Sequence, residues 1–136
     1  MSVKPSPRPA GSSPKARILV VDDEPSVCAV LVTVLTNLGY DPVATADPRA
    51  ALRMIESPDS RPDVLITDHA MPHMSGLELI RRGKALLPAL KTILASGQVD
   101  QPGNPAEPQP DAYLEKPFST RALARLLQSL IEPNSI

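Results

Sequence analysis

The chain has 136 residues, a formal net charge of −1 and 42% hydrophobic residues, so it can build one domain with its own core. The near-neutral charge argues against direct binding of nucleic acid, and no apolar run approaches the length of a membrane span. The single cysteine, Cys28, excludes an internal disulfide and a cysteine-based zinc site, and it favours a reducing compartment, the cytoplasm.

The chain begins with a stretch that differs in composition from the rest. Residues 1–15 are rich in proline, serine and basic side chains, which bury little apolar surface, so we expect a disordered tail. Regular hydrophobic patterns then run through residues 16–132 and predict a single domain. Residues 133–136 remain as a short C-terminal tail.

Five short apolar segments alternate with segments of helical periodicity along this domain. Strands that alternate with helices predict right-handed crossovers and a doubly wound parallel sheet, covered by helices on both faces. Helix boundaries are marked by Gly39 after the first helix, Asp47 before the second and Ser119 before the last. The predicted strands are RILVV, YDPVATA, PDVLIT, LKTILAS and DAYLE.

One segment departs from the alternation of strands and helices. Gly97–Pro110 follows the fourth predicted strand, where another helix is due, yet it contains four prolines. Because each proline costs about 3 kcal/mol in a helix interior, we expect an extended or mobile loop there, with at most one helical turn near Val99.

Charged and polar side chains follow the ends of four predicted strands. In a doubly wound sheet, ligands bind beyond the carboxyl ends of the strands, so these side chains should share one edge. Three carboxylates suit an ion such as Mg²⁺, and a carboxylate beside such an ion and a lysine can attack phosphorus. The residues at these ends are Asp22, Asp23, Asp68, Ser96 and Lys116.

The segments ILVVDDEPSV, DVLITDHAMPHMSGLELI, TILASG and YLEKPF closely resemble the receiver domain of two-component response regulators, of the chemotaxis-regulator type. The resemblance spans about residues 16–132. It implies a flavodoxin-like sheet of order 2-1-3-4-5, with the family's fourth helix replaced here by the Pro-rich loop. It also implies a cis Lys116-Pro117 bond and, because the loop lies on the usual dimer face, we expect a monomer.

The resemblance also implies roles for individual residues. Asp68 is similar to the aspartate that accepts a phosphoryl group, with Lys116 and Ser96 as its catalytic partners. Tyr113 and Ser96 resemble the pair that moves when the domain switches. The implied Mg²⁺ ligands are the carboxylates and one backbone carbonyl: Asp22, Asp23, Asp68 and Ala70.

The function implied is that of a signalling switch, which catalyses its own phosphorylation and dephosphorylation. The phosphoryl donor would be a phosphohistidine on a histidine kinase or a histidine phosphotransfer protein. Two alternatives stay open: a phosphorylation-independent binding module of receiver shape, and a receiver excised from a hybrid histidine kinase or a longer response regulator. His69 and His73 are expected to face solvent in a turn, and Glu24 to be an acid of the first helical turn.

Overall fold

A computed structural model describes residues 15–97 and 109–131, and these residues build a parallel sheet between two layers of helices. With the described strands numbered along the chain, their order across the sheet is 2-1-3-4-5, as the resemblance implied. The strands are β1 (Arg17–Val21), β2 (Asp41–Thr45), β3 (Val64–Asp68), β4 (Lys91–Ser96) and β5 (Ala112–Glu115). The helices are α1 (Pro25–Asn37), α2 (Pro48–Glu56), α3 (Gly76–Leu86) and α4 (Thr120–Ile131).

Within residues 15–97 and 109–131, two helices pack on each face of the sheet. On one face, the apolar side chains of α1 and α4 pack against β1, β3, β4 and β5, with Cys28, Leu35 and Leu127 among the buried residues. On the other face, α2 and α3 pack through residues such as Ile55 and Leu79. Both faces therefore carry an apolar core, as the alternating sequence pattern predicts.

The predicted helix boundaries are confirmed by local contacts. The Asp47 carboxylate accepts a hydrogen bond from the Arg49 N–H at 2.9 Å, and Pro48 occupies the first turn of α2. Gly39 ends α1 with a φ of 97°, a conformation that glycine adopts without strain. The Ser119 hydroxyl accepts from the Ala122 N–H at 3.0 Å, which begins α4.

The helical spacing of the sequence places Val30 on the apolar stripe of the first helix and predicts a third helix from Gly76 to Leu87. In the structure Val30 is 57% exposed, and α3 ends at Leu86, one residue before the predicted end. Other predicted segments fall outside the described residues. The predicted N-terminal tail (apart from Lys15), the Pro-rich loop over residues 98–108 and the C-terminal tail lie outside the described ranges.

None of the helices in the described ranges has the length and apolar character needed to cross a membrane.

Asp111 fastens the start of β5 to its neighbours. Its carboxylate accepts from the Thr92 N–H at 2.8 Å and lies 3.0 Å from the Lys84 ammonium of α3. Burial alone would raise the pKa of Asp111, but the Lys84 ammonium and the hydrogen bonds from Thr92 outweigh burial and lower this pKa below its usual value. The ionised carboxylate therefore joins α3, β4 and β5.

We predict that Asp111→Ala lowers the free energy of unfolding by about 1–3 kcal/mol at neutral pH, because it removes hydrogen bonds to a charged group. A lowered pKa in the folded state contributes stability above the unfolded pKa, near 3.8, and this stability is lost as the pH falls through the folded pKa. Urea unfolding should therefore show the difference from wild type shrinking below pH 3.8.

Asp59→Ala is the control, since the Asp59 side chain is exposed on a loop. Equal stability of the two variants at neutral pH would contradict a fastening role for Asp111.

Candidate functional site

Three aspartates meet at the carboxyl edge of the sheet. Asp22 and Asp23 follow β1, and Asp68 ends the neighbouring strand β3. One carboxylate oxygen from each lies within 4.8 Å of those of the other two. Asp22 is buried at 2% exposure, Asp68 is half-buried and Asp23 is exposed, so the group opens to solvent on one side.

Lys116 supplies the positive charge nearest to this group. Its ammonium lies 2.8 Å from Asp68 Oδ1 and 3.2 Å from Asp22 Oδ2. Burial lowers the pKa of Lys116, but the hydrogen bonds with Asp68 and Asp22 more than offset burial and raise this pKa above its ordinary value. The lysine is therefore charged at neutral pH, and it bridges strands β1 and β3 from the end of β5.

The backbone on either side of Lys116 directs it over the sheet edge. The Lys116 N–H donates to the Ser96 carbonyl at 2.9 Å, which continues the pairing of β4 and β5 past the last strand residue. The Lys116-Pro117 bond is cis, as the resemblance implied.

Asp22 is oriented by the chain that follows it. Its Oδ1 accepts from the Glu24 N–H at 2.9 Å, while Oδ2 faces Lys116. Glu24 itself is the N-cap residue of α1 and is exposed, so the prediction of an acid inside the first helical turn is wrong by one position. The Asp22 carboxylate thus has partners on both oxygens.

The remaining predicted residues lie around this edge at different depths. Ser96 ends β4 one residue after Ala95, the register partner of Asp68, and is 7% exposed. Tyr113 on β5 is 37% exposed, and its hydroxyl donates to Gln109 Oε1 at 3.3 Å. Ala70 is exposed in the turn that follows Asp68. His69 and His73 are also exposed, as predicted from the turn, and do not belong to the carboxylate group.

The sequence indicated Gly76 only as the start of a helix and did not predict its contact with the backbone of Asp68. Gly76 packs directly on the Asp68 carbonyl, and its N–H donates to the His69 carbonyl at 2.8 Å. The available signal was a glycine at the first position of a helix, where better helix formers are usual.

The donor set fits a magnesium-type ion. All three side chains offer hard carboxylate oxygens, and the cluster opens to water through Asp23, which suits an ion that keeps several water ligands. Among the described residues, Lys116 provides one positive charge against these three negative charges. The residual negative charge favours a divalent cation at this edge.

This combination of a flavodoxin-like sheet and an acidic edge bridged by lysine defines the class of receiver domains. The family model described as the response regulator receiver domain matches residues 18–128. The chain belongs to this family and is a receiver domain of two-component signalling systems.

Among curated relatives, the chain is 33% identical to the transcriptional regulator NtrC of Azospirillum brasilense over 88% of its own length and 25% of that protein. It is 32% identical to the chemotaxis protein CheY of Pseudomonas aeruginosa over 85% of its own length and 96% of that protein. The chain spans between 48% and 52% of five further regulators.

A solved structure with the same fold is the receiver domain of the sensor histidine kinase PA1611 from Pseudomonas aeruginosa. It is 28% identical, has a TM-score of 0.76, and the match covers 88% of this chain and 99% of that one. That structure is described with a magnesium ion coordinated in its active site cleft.

We predict that Lys116→Met lowers the free energy of unfolding by about 1–3 kcal/mol in buffer without divalent cations, because Asp22 would remain buried without its charged partner. Chemical unfolding at neutral pH measures this. Lys91→Met is the control, since Lys91 is exposed at the opposite edge of the sheet. If both variants unfold at the same denaturant concentration, Lys116 does not hold the carboxylates together.

Proposed function

We propose that this receiver domain accepts a phosphoryl group on Asp68 from a phosphohistidine, with Mg²⁺ held by Asp22, Asp23, Asp68 and the Ala70 carbonyl. The observation that supports it most directly is the contact of one lysine ammonium with both Asp68 and Asp22, at 2.8 and 3.2 Å. A lysine in this position offsets negative charge where a phosphoryl group would approach, so Asp68 can act as a nucleophile.

In the proposed reaction, a carboxylate oxygen of Asp68 forms a bond to phosphorus while the bond from phosphorus to the donor imidazole nitrogen breaks. The imidazole leaves with the electron pair and takes up a proton from solvent. Lys116 stays charged throughout, and it pairs with phosphoryl oxygens once the Asp68 carboxylate has become an acyl phosphate. A divalent cation bound at the three carboxylates would neutralise charge on the equatorial phosphoryl oxygens.

The signalling step would follow from the new contacts of the acyl phosphate. Ser96, buried at the end of β4 next to β3, would donate its hydroxyl to a phosphoryl oxygen, and Tyr113 would leave its exposed position to follow it. Phosphorylation shifts the equilibrium between the resting and the switched conformation only as far as the phosphoryl group makes different contacts in the two. Ser96 and Lys116 are the side chains that we assign to this difference.

A phosphorylation-independent binding module is the alternative function. It would not need three carboxylates within 4.8 Å of one another, two of them in contact with a lysine. Gathering like charges and removing them from water costs stability. The arrangement therefore favours phosphoryl acceptance.

We predict that the wild-type chain, incubated with Mg²⁺ and acetyl phosphate, gains the mass of one phosphoryl group, and that Asp68→Asn does not. The amide of asparagine has almost the shape of the carboxylate but is a poor nucleophile. Intact mass spectrometry measures both proteins, and Asp59→Asn, on an exposed loop, is the control that should label like wild type. Full labelling of Asp68→Asn would place the phosphoryl group on another residue.

The surface beside Lys116 suggests how a donor protein would bind. A groove of about 470 Å³ lies between α1 and the chain after β5, and it is lined by Val27, Val30, Lys116, Pro117 and Phe118 together with Ser26. Helix α1 carries no charged side chain over its whole length. We propose that a helical phosphohistidine protein packs on this apolar surface and presents its imidazole toward Asp68.

We predict that Val30→Asp slows phosphoryl transfer from a histidine phosphotransfer protein about tenfold or more, because a charge would be buried in an apolar contact. Labelling by acetyl phosphate should be unchanged, since the small donor needs no docking surface.

Val43→Asp is the matched control for this experiment. Val43 is also an exposed valine, at 48%, but lies on the edge strand β2 away from the groove. If both variants transfer as fast as wild type, or slow equally, the groove is not the docking surface.

The proposed relay operates in the cytoplasm. The one cysteine, Cys28, is a free and buried thiol, which fits a reducing compartment.

A further inference from the structure

Gly76, the first residue of α3, packs against the backbone that carries Asp68. A Cβ atom added to Gly76 would lie 2.2 Å from the Asp68 carbonyl oxygen and 2.7 Å from Leu94 Cδ1. The leucine tip can rotate away, but the carbonyl belongs to the backbone of a central strand. Any side chain at this position would therefore push the end of β3 and the start of α3 apart.

The conformational freedom of glycine does not explain this residue. The φ of Gly76 lies outside the left-handed region, so other residues could adopt its backbone conformation. What the position requires is the absence of a side chain, because the helix and the strand end approach within contact distance.

Several hydrogen bonds close the same turn. The Gly76 N–H donates to the His69 carbonyl at 2.8 Å, and the His69 N–H donates to Ala95 on β4 at 3.1 Å. The Thr67 hydroxyl donates to the Asp68 carbonyl at 3.0 Å, on the oxygen against which Gly76 packs. The start of α3 thus fixes the backbone from Asp68 to His69, and with it the Asp68 carboxylate and the beginning of the segment that carries Ala70.

We propose that Gly76 is a positioning residue for the phosphoryl-accepting site: its close approach to the Asp68 carbonyl sets the carboxylate of Asp68 and the carbonyl of Ala70 where a cation and a phosphoryl group require them. The inference rests on the proposed function. Gly76 itself touches neither the phosphoryl group nor the cation and acts through the backbone of Asp68.

Gly83 offers a matched control on the same helix. A Cβ at Gly83 would meet Ile55 Cδ1 and Leu90 Cδ2, each at 3.2 Å, and both are ends of flexible side chains. Leu90 precedes β4, so Gly83 lies toward the amino edge of the sheet, away from the carboxylates. Gly83→Ala therefore adds the same methyl group to the same helix without moving Asp68.

The experiment compares wild type, Gly76→Ala and Gly83→Ala at a temperature where circular dichroism shows each to be folded. The affinity for Mg²⁺ is measured by NMR titration, and the labelling rate by acetyl phosphate. Gly76→Ala should lose about tenfold or more in both, the range found when the support of a metal ligand is removed, and Gly83→Ala should match wild type. Equal affinities and rates in the two variants would overturn the proposal.

A second variant distinguishes the clash of the new methyl group with the Asp68 carbonyl from its clash with the Leu94 side chain. Leu94→Val removes the Cδ1 atom that the new methyl group would meet, but leaves the Asp68 carbonyl in place. The double variant Gly76→Ala/Leu94→Val should remain as impaired as Gly76→Ala. Recovery of wild-type affinity for Mg²⁺ would show that side-chain crowding, and not the position of Asp68, caused the loss, and would overturn the proposal.

If Gly76→Ala does not fold, Thr67→Val tests the step on which the proposal depends, that the position of the Asp68 carbonyl controls the cation site, because it removes another restraint on the same carbonyl within a buried strand. A loss of Mg²⁺ affinity without loss of thermal stability supports the proposal, and unchanged affinity overturns it. Wild type that binds Mg²⁺ but accepts no phosphoryl group would refute the proposed function alone, since the affinity comparison still tests Gly76.

Discussion

The structure of the site depends on the contact of one lysine with two aspartates from adjacent strands. Two like charges 4 Å apart repel by about 4 kcal/mol at an effective dielectric constant of 20. The Lys116 ammonium between Asp22 and Asp68 offsets part of this repulsion, although Asp22 is almost fully buried. Asp23 adds a further negative charge without such a partner nearby in the described chain, and the site therefore attracts a divalent cation.

The parallel sheet itself brings the lysine and the aspartates together. All strands end at the same edge, so residues far apart in sequence become neighbours there, as Lys116 and Asp22 do at a separation of 94 residues. The central place of β3, between β1 and β4, puts Asp68 in the middle of the group. The packing of the two apolar cores stabilises the fold enough to hold these like charges together, although their repulsion is destabilising.

Much of the fold and of the site could be predicted from the sequence, because both follow from simple patterns. Alternating strands and helices predict the parallel sheet, and acids at strand ends predict where they meet. Val30, Gly76 and Asp111 could not be assigned this way. The exposure of Val30 depends on the width of the contact between α1 and the sheet. The role of Gly76 depends on its distance from the Asp68 carbonyl. The role of Asp111 depends on its partners Lys84 and Thr92, which lie in two other elements.

The central claim is that the carboxylates at this edge form one cation site next to the phosphoryl acceptor. An NMR titration of the wild-type chain with MgCl₂ tests it most directly. We expect saturable shifts of the backbone amides of Asp23, Asp68 and Ala70, and none at the exposed acids Asp41 and Asp59. The absence of saturable shifts at millimolar Mg²⁺, or equal shifts at both sets of residues, would contradict it.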